Sequence, residues 1–361
     1  MAEPRLEADW WEAHGSALPS ALVGRIADVF LATSDIDIDL SIRAVCRSWR
    51  AATDDPRGSE SRFRPRGWIF LGGNSGSGHY LFLNVDTGRF LWMDLPKLCN
   101  YIPTTDGLLV VPLVTSRSRS NICLFNPFTG HRVLYPLIGM CSFDRGVTVA
   151  GSSPVLLYLW GGRSAACLDP TCGFEWVTLF SAEPAFESLA SMVAYQGRPY
   201  AADQRGSIAV VEDHSGRDPR LATVVAANWV QSRPTFLVVC AGELLLVRAP
   251  MIEGRGEVLE VCWVDVEGKE LWTLKGIRNY AIFLGDRCIS VDADKFPGVE
   301  GNCIYYIGGG QRPQERGICM HRLEDGRDEK LFDDEVDQLE VQARPWTLSQ
   351  LLMNYAHYQV R

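Results

Sequence analysis

Phe82-Leu83-Asn84-Val85-Asp86-Thr87-Gly88 runs from apolar residues into an Asn/Asp turn and ends on glycine. A second apolar run, Phe90–Asp94, follows at once. Two short apolar runs joined in this way make the pattern of a β-hairpin. The Asp or Asn side chain accepts hydrogen bonds from the turn, and glycine takes positive φ without a Cβ clash. The arrangement returns as Cys123-Leu124-Phe125-Asn126-Pro127-Phe128-Thr129-Gly130, then around Cys167–Gly173 and Val210–Gly216. Its last two forms are Cys262-Trp263-Val264-Asp265-Val266-Glu267-Gly268 and His321-Arg322-Leu323-Glu324-Asp325-Gly326. From Asp86 to Asn126, Asp169, Asp213, Asp265 and Asp325 the steps are 40, 43, 44, 52 and 60 residues. Periods of this order belong to the four-stranded blades of a β-propeller.

Strand spacing agrees. Four candidates fall at Ser191–Tyr195, Pro199–Ala202, Ser207–Val211 and Leu221–Ala226, and four more at Thr235–Val239, Glu243–Arg248, Val258–Val264 and Leu271–Leu274. The first unit offers three: Trp68–Leu71, Tyr80–Val85 and Phe90–Asp94. Six repeats predict six blades, and the long last two steps also admit seven. A ring of blades must close or leave open strand edges. The expectation is that Trp346–Leu351 returns to the first blade as its missing strand, although Ser349-Gln350-Leu351-Leu352-Met353 equally fits the start of a helix.

The composition is that of a mainly β globular chain: 361 residues, 47% hydrophobic, with 33 glycines, 11 tryptophans and 11 tyrosines. That apolar content excludes a wholly disordered protein. A net charge of −9 argues against a nucleic-acid binder, which needs a basic surface to neutralise phosphates. No run reaches the ~18 apolar residues of a membrane span, so no membrane partner is expected. The first residues, Met1-Ala2-Glu3-Pro4-Arg5-Leu6-Glu7, lack the pattern of a signal peptide. Eleven cysteines scattered through apolar runs, Cys123, Cys240, Cys262 and Cys303 among them, read as buried reduced thiols. None of the nine asparagines begins an N-x-Ser/Thr acceptor. A chain in the nucleus, the cytoplasm or both is expected.

Upstream of the repeats the texture changes. Leu18, Leu22, Ile26 and Val29 recur at the spacing of an amphipathic helix, with Pro19 in its first turn. Asp35 could cap a second segment carrying Ile38, Leu40, Ile42, Val45, Cys46 and Trp49; Ile36–Leu40 also alternates with period two, which leaves a strand open there. Asp54–Ser59 stops the helix. About 40 residues are too few to bury such a face alone. The unit is therefore a cap packed on the larger domain or a hook for another protein.

Catalytic and metal-binding patterns are missing. There is no phosphate loop, and Gly72–Gly78 leads into a strand rather than the helix N-terminus a phosphate cradle requires. No G-x-S-x-G, H-E-x-x-H or C-x-x-C occurs, and the six histidines are isolated. Catalytic residues, metal and cofactor are all expected to be absent. Asp106, Asp203 and Asp292, the candidates a propeller enzyme would need, read more simply as turn residues. The arginines of Arg57–Arg66 and Ser116–Ser120, and the acidic run Glu324–Glu340, read as solvated linker, loop and strand edge.

Leu18-Pro19-Ser20-Ala21-Leu22-Val23-Gly24-Arg25-Ile26, with Ser41-Ile42-Arg43-Ala44-Val45-Cys46-Arg47-Ser48-Trp49-Arg50, resembles an F-box. That pattern is a Leu-Pro start, a Leu/Ile helix and a Val-Cys-Arg/Lys-x-Trp-Arg close; Ser20 departs from the acidic residue usual there. Leu284–Asp292 followed by Phe296–Tyr306 is similar to a signature of plant F-box proteins whose second half is the kelch-like "domain of unknown function 295". The resemblance implies a disordered stretch at 1–15, a helical F-box at 16–56, a linker at 57–66, a kelch-like β-propeller at 67–351 and a tail at 352–361. It implies a non-catalytic substrate receptor of an SCF-type ubiquitin ligase. Leu18, Pro19, Leu22, Ile26, Val45, Cys46 and Trp49 would meet a Skp-type adaptor and, through it, a cullin. The propeller would hold a target protein for ubiquitination and degradation. The alternative it leaves is an F-box/propeller scaffold or transcription-associated partner working outside a ligase.

Overall fold

A computed structural model describes residues 18–357 apart from 34, 58–60, 75–77, 97–100, 117–118, 138–145, 152–155, 162–163, 169–175, 182–188, 213–219, 227–232, 250–258, 309–316 and 334–346. The predicted turns at Asp169–Gly173 and Asp213–Gly216, the stretch 1–15 and most of the tail beyond Ala356 lie outside the described residues.

The opening motif works as a turn, with its register shifted by two residues. Asn84, not Asp86, is the acceptor: its Oδ1 takes hydrogen bonds from the amides of Asp86 (2.9 Å) and Thr87 (3.0 Å). Gly88 then sits at φ 72° and donates to the Asn84 carbonyl at 2.8 Å. Asn126 repeats this with Phe128 and Thr129, at 3.0 and 3.3 Å, ahead of Gly130 at φ 73°. The chain reverses because one side chain satisfies two amides and the fourth residue on has no Cβ to clash.

Such turns join β2 (His79–Asn84) to β3 (Phe90–Asp94), β6 (Arg119–Phe125) to β7 (Arg132–Leu137), β18 (Glu260–Asp265) to β19 (Glu270–Thr273), and β23 (Gly317–Arg322) to β24 (Arg327–Asp333). In the second and third of these sheets two strands precede the turn-linked pair: β4 (Ile102–Pro103) and β5 (Leu109–Ser116), then β16 (Thr235–Cys240) and β17 (Glu243–Arg248). Among the described residues the first sheet has only β1 (Trp68–Asn74) ahead of its pair, one strand fewer than the second sheet. The last sheet begins instead with β21 (Ile289–Asp292) beside β20 (Tyr280–Phe283), then β22 (Cys303–Gly308).

Among the described residues the strands form five hydrogen-bonded sheets rather than six separate ones. The middle sheet has eight strands and contains two antiparallel meanders: β8 (Gly146–Ala150), β9 (Leu156–Gly161), β10 (Ser164–Leu168) and β11 (Trp176–Ser181), then β12 (Leu189–Tyr195), β13 (Arg198–Asp203), β14 (Ile208–Glu212) and β15 (Arg220–Val225). They are joined by a parallel pair, Phe180 opposite Arg220 and Ser181 opposite Leu221. Apolar clusters seal the seams between neighbouring meanders. Val193, Tyr200 and Ile208 pack on Leu237 and Leu246, Val238 and Val247 on Ile282 and Ile304, and Ile69 and Leu83 on Phe283 and Tyr305. This is the architecture of a mainly β propeller.

The ring closes with a helix, not the expected strand. Leu348–Ala356 is helical, and Leu352, Met353, Tyr355 and Ala356 are all buried against β1 and the last sheet. Thr347 and Gln350 form a reciprocal cap, Gln350 N donating to Thr347 Oγ1 (3.3 Å) and Thr347 N to Gln350 Oε1 (2.9 Å). At the other end the buried Arg287 donates from Nε to the Tyr355 carbonyl (3.2 Å) and from its amide to the Ala356 carbonyl (3.1 Å). A cation there suits the negative end of the helix.

Among the described residues three α-helices precede the ring: α1 (Ser20–Ala32), α2 (Ile36–Val45) and α3 (Arg47–Ala51); the closing helix is α4 (Leu348–Ala356). The period-two reading of Ile36–Leu40 yields to helix because Ile36, Asp39 and Ile42 share the inward face. The segment expected as a solvated linker packs at Phe63–Pro65, while Arg57 and Arg66 are exposed. Phe63 is buried in a cluster with Ile36, Trp68, Phe82 and Phe125, and Arg64 is buried beside Asp106 at 3.2 Å. Arg89, just beyond the first turn, grips α2 and its cap through Asp37 (2.9 Å) and Asp35 (2.7 Å).

Candidate functional site

Helix α1 carries apolar residues on two faces. Val23 and Ala27 turn inward and are buried. Leu22, Ile26 and Val29 turn outward, and Leu18, two residues ahead of the helix, is exposed with them, at 42, 37, 61 and 41%. A helix with two apolar faces has one more than its own domain covers, and exposed apolar stripes mark interaction sites. Pro19 is exposed at the head of the same helix. Val45 is 36% exposed, at the end of α2. Cys46 and Trp49 are half-buried at the α2–α3 junction, where Cys46 Sγ accepts from the Trp49 amide at 3.5 Å. The predicted residues therefore stand in two groups, one along α1 and one where α2 meets α3, and α1 packs on both other helices.

Beneath the stripe lies a feature that periodicity gave no reason to expect. Asp39 is 1% exposed, and neither carboxylate oxygen has a hydrogen-bond partner. Burial pushes its pKa up, against the opposing pull of Arg43 and Arg62. Arg43 itself reaches the turn after α3, donating to the Thr53 carbonyl (2.8 Å) and hydroxyl (2.7 Å).

The second concave feature is a cavity of about 410 Å³ on the axis of the ring. Ile69 from the first sheet, Val193 and Val239 from inner strands, Asp292 from the last sheet and Tyr355 from the closing helix all reach it. Tyr355 donates to the Thr104 carbonyl at 3.2 Å, and burial raises its phenol to about 12. Asp106 and Asp292 line the cavity, whereas Asp203 does not: its Oδ1 accepts from the amides of Arg205 (2.9 Å) and Ser207 (2.8 Å) and shapes its own turn. Asp106 is paired with Arg64, and Asp292 caps a short 3-10 turn by accepting from Asp294 N. Among the described residues, no three His, Cys, Asp or Glu side chains are placed to hold a metal, and no helix is long and apolar enough to cross a membrane.

A family model described as the KIB1-4 beta-propeller matches residues 82–332. No curated protein matches. Solved structures similar to this chain include a candidate 6-phosphogluconolactonase from Bacteroides uniformis, 16% identical, covering 73% of this chain and 81% of that one at a TM-score of 0.38. Virginiamycin B lyase from Staphylococcus aureus is 10% identical, covering 73% and 76% at a TM-score of 0.35. A quinonprotein alcohol dehydrogenase-like protein from Bacteroides thetaiotaomicron is 10% identical, covering 74% and 75% at 0.35.

Proposed function

Because the chain belongs to the KIB1-4 beta-propeller family, we propose that it is an interaction protein in which the ring holds a target and the helical unit holds an adaptor. In the finer form of this reading, α1–α3 are an F-box of the plant type, the ring is the kelch-like domain paired with it, and the whole is a substrate receptor of an SCF-type ubiquitin ligase. The two halves of the eight-stranded sheet then count as separate blades of a six-bladed ring. The observation that carries the proposal is the outward stripe Leu18, Leu22, Ile26 and Val29. Apolar area of this kind gains most by burial in a partner. Val45, Cys46 and Trp49 extend the adaptor surface, and a cullin follows through the adaptor. The ubiquitin chemistry belongs to partner enzymes, so the chain supplies no catalytic residue. It works in the nucleus, the cytoplasm or both.

The test is capture of a purified Skp-type adaptor by the full chain. Leu22→Ala and Ile26→Ala together should abolish capture at micromolar concentrations, and Trp49→Ala should cost about 2 kcal/mol or more. If none of these changes alters capture, the interface is misassigned. Adaptor binding without cullin recruitment or target turnover would favour the scaffold reading.

A further inference from the structure

A groove of about 540 Å³ opens between the helical unit and the second sheet. Leu40 and Arg43 of α2, Arg50 of α3, Asp55 and Arg57 beyond it, and Phe128 of the second turn line it. Three arginines face one aspartate in a chain whose net charge is −9, so this pocket is locally opposite in sign to the molecule. The hydrogen bonds that hold two of these arginines end on uncharged oxygens. Arg43 donates to the carbonyls of Thr53 and Asp54 and to the Thr53 hydroxyl. Arg50 Nε donates to the Arg43 carbonyl at 3.2 Å. Such bonds fix guanidinium groups in place without neutralising them. The cations are all arginine, whose planar fork pairs with an oxyanion through two parallel hydrogen bonds. Beside them, Leu40, Pro56 and Phe128 offer apolar contact to whatever flanks the anion.

We propose that this groove binds a phosphorylated segment of a protein partner, Arg50 and Arg57 taking the phosphoryl group and Phe128 its neighbouring side chain. A phosphoserine carries nearly two negative charges and three acceptor oxygens, which suits clustered arginines better than a single carboxylate does. The groove is separate from the stripe on α1, and Val45, Cys46 and Trp49, the rest of the proposed adaptor surface, do not line it.

The experiment is calorimetric titration of the full chain with three probes: an acetylated, amidated heptapeptide of alanines with a central phosphoserine, the same peptide with serine, and inorganic phosphate. The phosphopeptide should bind at least about tenfold more tightly than its unphosphorylated twin. Arg57→Ala should remove about tenfold of that affinity, and Arg57→Lys, which keeps the charge and loses the fork, should fall between. Asp55→Asn should tighten binding several-fold, since it removes the one carboxylate and keeps the Oδ1 that accepts from the Arg57 amide at 3.1 Å. Equal binding of the two peptides, or no effect of Arg57→Ala in a chain with an unchanged melting profile, would overturn the proposal. Inorganic phosphate binding as tightly as the phosphopeptide would overturn the assignment to a protein segment.

Discussion

At the scale of single residues, two positions hold conformations or charges that the fold tolerates at a cost. Lys269 follows the Asp265 turn at φ 59°, where the equivalent positions Gly88, Gly130 and Gly326 are glycine. Lys269→Gly should raise stability by up to about 1 kcal/mol in thermal or urea unfolding, because a non-glycine residue in that region is strained. Asp39 is the other. Its pKa is raised in the fold, so the native state holds the proton more tightly than the unfolded chain does. The stabilising contribution is complete below the ordinary aspartate range and is lost as pH rises through the elevated native pKa. Asp39→Asn should therefore be more stable than the native chain by about 1 kcal/mol at pH 7, with the difference vanishing toward about pH 3–4. A difference that stays flat across that range would mean that the charge is not the cause. Neither position is legible in the sequence. Lys269 differs from the glycines only by its alignment in the turn, and Asp39 sits in an Asp-Ile-Asp-Ile-Asp run whose burial depends on what covers it.

At the scale of elements, the turns and strands are the legible part. Glu243–Arg248 and Phe90–Asp94 lie where alternation and flanking turn residues put them. The acceptor in the first turn is not legible, because Asn84 and Asp86 both carry a side-chain oxygen and only the backbone path distinguishes them. The stretch Leu284–Asp292, which reads as a family signature, also clasps α4. A Cβ on Gly285 would clash with the Ala356 carbonyl oxygen. Gly285→Ala should lower stability by about 1–3 kcal/mol in a thermal melt, since backbone on both sides has little room to move. The helical unit is fastened by Arg89 to Asp35 and Asp37. Arg89→Ala should cost about 1–2 kcal/mol and speed proteolysis between α1 and β1, the pair being only partly exposed. Unchanged cleavage would show that the cluster around Ile36 and Phe63 suffices by itself.

At the scale of the whole molecule, the ring is legible from its period, and the number of separate sheets is not. The fusion of two meanders through Phe180 and Ser181 depends on how outer edges meet, which no repeat length encodes. The direction of the α1 stripe is equally hidden. A four-residue spacing locates an apolar face without saying whether it points at the ring or away from it, and here Val23 and Ala27 take the inward side. Closure falls where it is expected, at the first sheet, but its form is a helix, because Thr347 and Gln350 cap it and Arg287 satisfies its far end. That closure has a kinetic consequence. Ile69 and Leu352 share one cluster although 283 positions separate them, so the first sheet keeps a bare apolar flank until α4 has been synthesised. Contacts of such sequence separation form slowly and leave surface open to misassociation in the meantime. Growing chains of this protein are natural customers for chaperones until that helix seals the flank.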